Sequence, residues 1–103
     1  MQMPTLYEYF GIKVSFFSND HEPIHVHGEY QGRESKAEII VKDGIITEVK
    51  FKSVAGRDPL KGRQLKDFEA LVTHEAPAIV ASWNGYFKHD TIIRSKRITK
   101  RIG

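Results

Sequence analysis

From Ile24 onward apolar side chains recur at every second position: Ile24, Val26 and Gly28, then Ala37, Ile39 and Val41. Period two is the signature of a half-buried strand, with one face turned to a core and the other away from it. Glycine-containing breaks cut the pattern into strand-length pieces, so consecutive antiparallel strands are the arrangement that satisfies it. A two-residue turn at Gln31-Gly32 sets Tyr30 against Arg33, Gly28 against Ser35, Val26 against Ala37 and Ile24 against Ile39. At the next break, a two-residue Asp43-Gly44 loop would mix the two faces. A three-residue loop, Lys42-Asp43-Gly44 with Gly44 in a left-handed bulge position, pairs Val41 with Ile45, Ile39 with Thr47 and Ala37 with Val49, and is the expected register.

The same bookkeeping places His25 opposite Glu38, which faces Glu48, and His27 opposite Lys36, which faces Lys50. Before this meander, Ile12 to Phe17 reads as one strand with a short aromatic lead-in, Thr5 to Phe10, and Ser18 to Pro23 reads as a turn-rich connection. After it, Asp58-Pro59 resembles a helix cap, and Leu65, Phe68, Leu71 and Val72 recur at helical spacing over Leu60 to Thr73. Pro77 is expected to break the helix near His74, with a second helix from Glu75 to Asn84 and Gly85 as its stop. Leu65, Phe68, Leu71, Ile79 and Trp83 are assigned to the core. The expected class is therefore α+β: an antiparallel β-meander of about four strands with two helices on one face, and a C-terminal segment able to add an edge strand.

At 103 residues the chain suits one domain, 1–103, divided into sheet (1–56), helical pair (57–86) and basic arm (87–103). Hydrophobic residues at 40% and charged residues at 28% describe a folded chain, not a disordered one. The absence of cysteine excludes disulfides and thiolate metal sites. No apolar run approaches the ~20 residues of a membrane helix, and the first residues lack a signal-peptide core, so a cytoplasmic location is expected. Nothing matches a P-loop, a dinucleotide fingerprint or a serine nucleophile elbow.

Three of the five histidines fall within Asp20-His21-Glu22-Pro23-Ile24-His25-Val26-His27. His25 and His27 share one strand face and can ligate one divalent ion such as zinc through nitrogen, with a third ligand from Glu38 across the strand, or from Asp20 or His21 in the preceding loop. Without metal, the same pair can work as acid and base, with Glu38 orienting His25 and the lysines beside His27 stabilising a phosphate. Structural roles compete with both: Asp20 can cap its turn, and the histidines can be covered by an arm or a partner. Net charge is +3, and Arg94, Lys96, Arg97, Lys100 and Arg101 hold five of the sixteen Lys and Arg residues, a run that can track a phosphate backbone or lie solvated. Isoleucines among those charges favour docking of the arm, on its own sheet or on a second copy in a homodimer.

At Met3-Pro4-Thr5, Phe10-Gly11-Ile12 and the histidine motif, followed by Tyr30, the chain resembles a family of small prokaryotic proteins known as domain of unknown function 4160. The resemblance runs from about Met3 to Trp83; Ile24 stands where the family's motif has a second proline, and the basic arm lies outside the pattern. It implies a compact α+β domain, often encoded beside another small protein in arrangements similar to toxin–antitoxin pairs, with no established activity. The functional expectation is a small binding protein in a two-gene regulatory or toxin–antitoxin-like module, contacting a protein partner and nucleic acid. The alternative is a histidine-dependent nuclease or metal-assisted hydrolase built on His25, His27 and Glu38.

Overall fold

The computed structural model describes residues 4–16, 23–89 and 92–102. Six strands form one mixed sheet: β1 (Thr5–Tyr9), β2 (Ile12–Ser15), β3 (Ile24–Tyr30), β4 (Arg33–Lys42), β5 (Ile45–Ser53) and β6 (Lys96–Ile98), in the order β5-β4-β3-β2-β1-β6. Among the described residues a single helix, α1 (Gly62–His89), packs on one face. The class is α+β as expected, with six strands in place of four and one helix in place of two.

The first correction lies at the start of the chain. Thr5–Tyr9 is a strand in its own right, joined to β2 by a two-residue turn at Phe10-Gly11. Three turns share this build: Phe10-Gly11, Gln31-Gly32 and Asp43-Gly44 all have positive φ at both residues, between 46° and 86°. Paired positive φ values define the turn whose twist matches that of the strands it joins, and glycine at the second position removes half of its steric cost.

β3 and β4 pair in the expected register throughout, from Ile24 with Ile39 to Tyr30 with Arg33. The β4–β5 register is corrected. The loop is the two-residue Asp43-Gly44 turn, pairing Lys42 with Ile45 and Val41 with Ile46, and a bulge at Thr47 then brings Ile40 to Glu48, Ile39 to Val49 and Ala37 to Phe51. One extra residue shifts side-chain parity, so the bulge, not a longer loop, keeps both ends of β5 apolar on the core face. As a result Glu38 faces Lys50 and Lys36 faces Lys52, in place of the expected Glu48 and Lys50.

α1 runs unbroken through Pro77 and Gly85. Phe68, Leu71, Val72, Ala76, Ile79 and Trp83 are all buried, a stripe that keeps helical phase across the proline. Pro77 is exposed, so the carbonyl that its ring leaves without a donor faces water. The last turn is held by rings: Trp83 to Phe87 at 4.4 Å, Tyr86 to Phe87 at 4.7 Å and Phe16 to Phe87 at 5.8 Å between centroids. Asp58-Pro59 is not a helix cap. Its carbonyls turn back to β4, where Asp58 O accepts from Glu34 N at 2.9 Å and Pro59 O from Arg33 at 3.1 Å, and the helix starts at Gly62.

The core lies between α1 and the face bearing Tyr7, Tyr9, Ile12, Val14, Val26, Ala37 and Ile39. Phe68 and Trp83 are buried as assigned, while Leu65 packs at the margin. At Gly28 a Cβ would stand 2.5 Å from the Phe68 ring, so the glycine is what lets the helix approach β3 so closely.

Candidate functional site: the histidine face and the basic edge

Val26 is fully buried towards α1, and the alternation of β3 carries His25, His27 and Glu29 to the opposite face. That face is not open at the histidines. His27 is 4% exposed, and the His25 ring, at the start of the strand, lies 5.7 Å from the Trp83 ring. The two imidazoles are 5.4 Å apart between centroids.

Each ring is oriented through Nδ1. His27 Nδ1 donates to Glu34 Oε2 at 2.8 Å, and His25 Nδ1 donates to the Pro23 carbonyl at 2.8 Å, since neither acceptor has a hydrogen to give. In the neutral tautomer both rings therefore carry their lone pair on Nε2. Glu34 is itself buried, and its other oxygen takes a bond from Arg57 at 2.9 Å, while Arg57 also reaches the Gly32 carbonyl at 3.1 Å. The chain His27–Glu34–Arg57 supplies a buried carboxylate with a donor on each oxygen, which is what keeps its burial from being prohibitive.

Glu34 and Arg57 were not singled out by the sequence. Glu34 lies on the diagonal from His27, two residues from the directly opposed Lys36, and diagonal neighbours in a known hairpin register were the signal that would have found it. The expected Glu38 does stand opposite His25, but its carboxylate turns to Lys52 at 2.9 Å. The bond from Lys52, together with the nearby charges of Lys36 and His25, holds the Glu38 carboxyl below the usual glutamate range, against a smaller opposing push from burial.

Ser15 stands directly opposite His27 on the neighbouring strand, and its buried hydroxyl has no hydrogen-bond partner among the described residues. Ser15, His27 and Glu34 thus adjoin in the order nucleophile, base and orienting acid. A hydroxyl 1% exposed is nevertheless closed to substrate. Among the described residues no group of three His, Asp or Glu side chains converges as a metal shell. Of the expected further ligands, Asp20 and His21 lie outside the described residues, and Glu38 turns to Lys52. His25 and His27 alone offer a pair of oriented imidazoles of the kind that transition metals accept.

The basic arm docks on its own sheet. β6 pairs parallel with β1, Lys96 with Tyr7 and Ile98 with Tyr9, and Ile102 N donates to Tyr9 Oη at 2.8 Å. Two of the five cations are spent on this docking: Arg97 meets Glu8 at 3.7 Å, and Arg101 pairs with Asp67 and stacks over the Phe10 ring at 4.2 Å. Arg94, Lys96 and Lys100 are exposed and make no ion pair among the described residues. Beside the arm, Tyr7 donates to Glu75 at 3.1 Å, and burial followed by the Glu75 charge pushes the phenol's pKa well up. His74, expected at a helix break, sits within α1 and bonds Glu75.

Among the described residues no helix is long and apolar enough to cross a membrane. No curated protein and no solved structure matched the chain. A family model does match, over residues 11–84, and by that match the chain belongs to the family described as domain of unknown function (DUF4160).

Proposed function

We propose that the chain is a small binding protein, one component of a two-gene regulatory or toxin–antitoxin-like module, that contacts a protein partner and uses its basic C-terminal edge on nucleic acid. The observation that carries this reading is the set of exposed cations Arg94, Lys96 and Lys100, held beside the sheet by β6 without counter-ions among the described residues. Strand pairing, Ile98 and the Arg101 contacts fix their positions before any partner arrives, which lowers the ordering cost of binding. The gene arrangement implied by the family resemblance supplies the module context.

The test is isolation of the intact chain from its native host with whatever accompanies it, alongside retention on immobilised DNA and RNA at low salt. R94E/K96E/K100E leaves the docking contacts of Arg97 and Arg101 in place. It is expected to cut nucleic-acid retention at least tenfold and to flatten its salt dependence, since each lost phosphate contact removes about one unit of slope. Unchanged retention would overturn the nucleic-acid half of the reading, and a native isolate without a companion protein would overturn the other.

A second reading, histidine-dependent nuclease or metal-assisted hydrolase chemistry, is favoured by one observation: both imidazoles are oriented through Nδ1, His27 by a buried carboxylate. Glu34 then orients His27, and the Pro23 carbonyl, in place of the expected Glu38, orients His25.

A further inference from the structure

The sheet ends on two unlike edges. One is β6, three residues long and bordered by the arm; the other is β5, nine residues from Ile45 to Ser53, with no strand on its outer side among the described residues. A free edge presents a row of unpaired backbone donors and acceptors, and natural sheets usually blunt it. The core-facing residues of β5, Ile46, Val49 and Phe51, are only partly covered. Ile45 at its start is 66% exposed.

We propose that β5 pairs antiparallel with β5 of a second copy of this chain, about a two-fold axis at Val49. The charge pattern selects that occupant and that register. Glu48 and Lys50 flank Val49 on the outer face, both exposed and without an ion pair among the described residues, because Glu38 is taken by Lys52 and not by the Lys50 it faces. With Val49 on the axis, Glu48 of each copy stands directly opposite Lys50 of the other, at Cβ separations of about 5 Å. Moving the axis to Glu48 sets glutamate against glutamate, and moving it to Lys50 sets lysine against lysine. Edge lysines ordinarily repel a second edge; here the lysine is matched by a glutamate two residues earlier.

On the core side the same register places Val49 against Val49, so partly covered apolar surface is closed on both copies. The bulge at Thr47 limits the pairing to about five residues per strand, from Thr47 to Phe51. A two-fold axis perpendicular to the sheet puts both helices on one side and both histidine faces on the other. The proposal stands independently of the function proposed for the basic edge, which lies at the opposite end of the sheet.

Sedimentation equilibrium of the intact chain over a concentration series, with circular dichroism to verify the fold, tests it. The unsubstituted protein is expected to be a dimer. E48K and K50E should each be monomeric when alone, and an equimolar mixture of the two should form a heterodimer, because each then supplies the charges that the other lacks. A monomer at every concentration for the unsubstituted chain, or dimers unaffected by either single substitution, would overturn the proposal.

Discussion

The two faces of β3 are ordered by different physics. Towards α1, Val26 and Gly28 fit the helix by shape: the Phe68 ring occupies the space where a side chain at position 28 would be. Away from α1, His27, Glu34 and Arg57 are ordered by charge and hydrogen bonding, with a donor on each oxygen of the Glu34 carboxylate. Shape-based order depends on volume and little on pH. Charge-based order depends on pairing, and loses most when one member is removed and the rest stay buried.

The largest effect is expected on the first face. Phe68→Ala should cost about 3–5 kcal/mol in urea unfolding, the usual loss for emptying a buried aromatic site. G28A alone should cost about 1–3 kcal/mol through the clash with that ring. In the Phe68→Ala background the cost of G28A should fall below about 0.5 kcal/mol, since neighbours sharing one space are not additive. Additive costs would mean that the glycine serves the backbone of β3 and not the approach of α1.

Next in size is the opposite face. Glu34→Ala leaves His27 Nδ1 and Arg57 Nη1 without their acceptor and should destabilise by about 1–3 kcal/mol, measured the same way. It also separates the readings of function. If the histidines act in RNA cleavage, any turnover by the purified chain should fall at least tenfold with Glu34→Ala, as the ring loses its orientation. If the face is structural, only stability should change.

The difference between the faces also explains what the sequence revealed. Alternation in β3 and β4 is strict, and a one-residue slip would turn Val26 and Ile39 out of the core, so their register could be read directly. The β4–β5 register was misread because a bulge conserves the apolar face as well as a longer loop does, and single-residue patterning does not distinguish the two. Phe10-Gly11 was missed as a turn because phenylalanine is a poor resident of left-handed geometry; its ring under Arg101 and against Tyr9 is long-range compensation that no local pattern contains. Pro77 does not break α1, because it sits on the exposed side of an apolar stripe that passes it in phase. Of the candidate site, the facing of His25 and His27 was legible, whereas Glu34 meets His27 on a diagonal and not as its direct opposite, and Arg57 comes from the irregular connection before α1.

The smallest effect tests whether charge order extends to the rim of the sheet. Lys52 is half-exposed, so its bond to Glu38 is screened by water, and Lys52→Met should cost only about 0.2–1 kcal/mol at neutral pH. The sign with pH is fixed by the direction of the Glu38 shift. A carboxyl whose pKa is lower folded than unfolded adds stability above the unfolded glutamate value, near 4.3, and loses that contribution as pH falls through the folded value. Because Lys52 is the largest cause of the lowering, the gap between the unsubstituted protein and Lys52→Met should be widest near neutrality and close as the solution is acidified below pH 4 or so. A gap that persists in acid would show that the Lys52 contribution does not come from its bond to the Glu38 carboxylate, since methionine keeps the apolar stem, and charge order would then stop at Glu34.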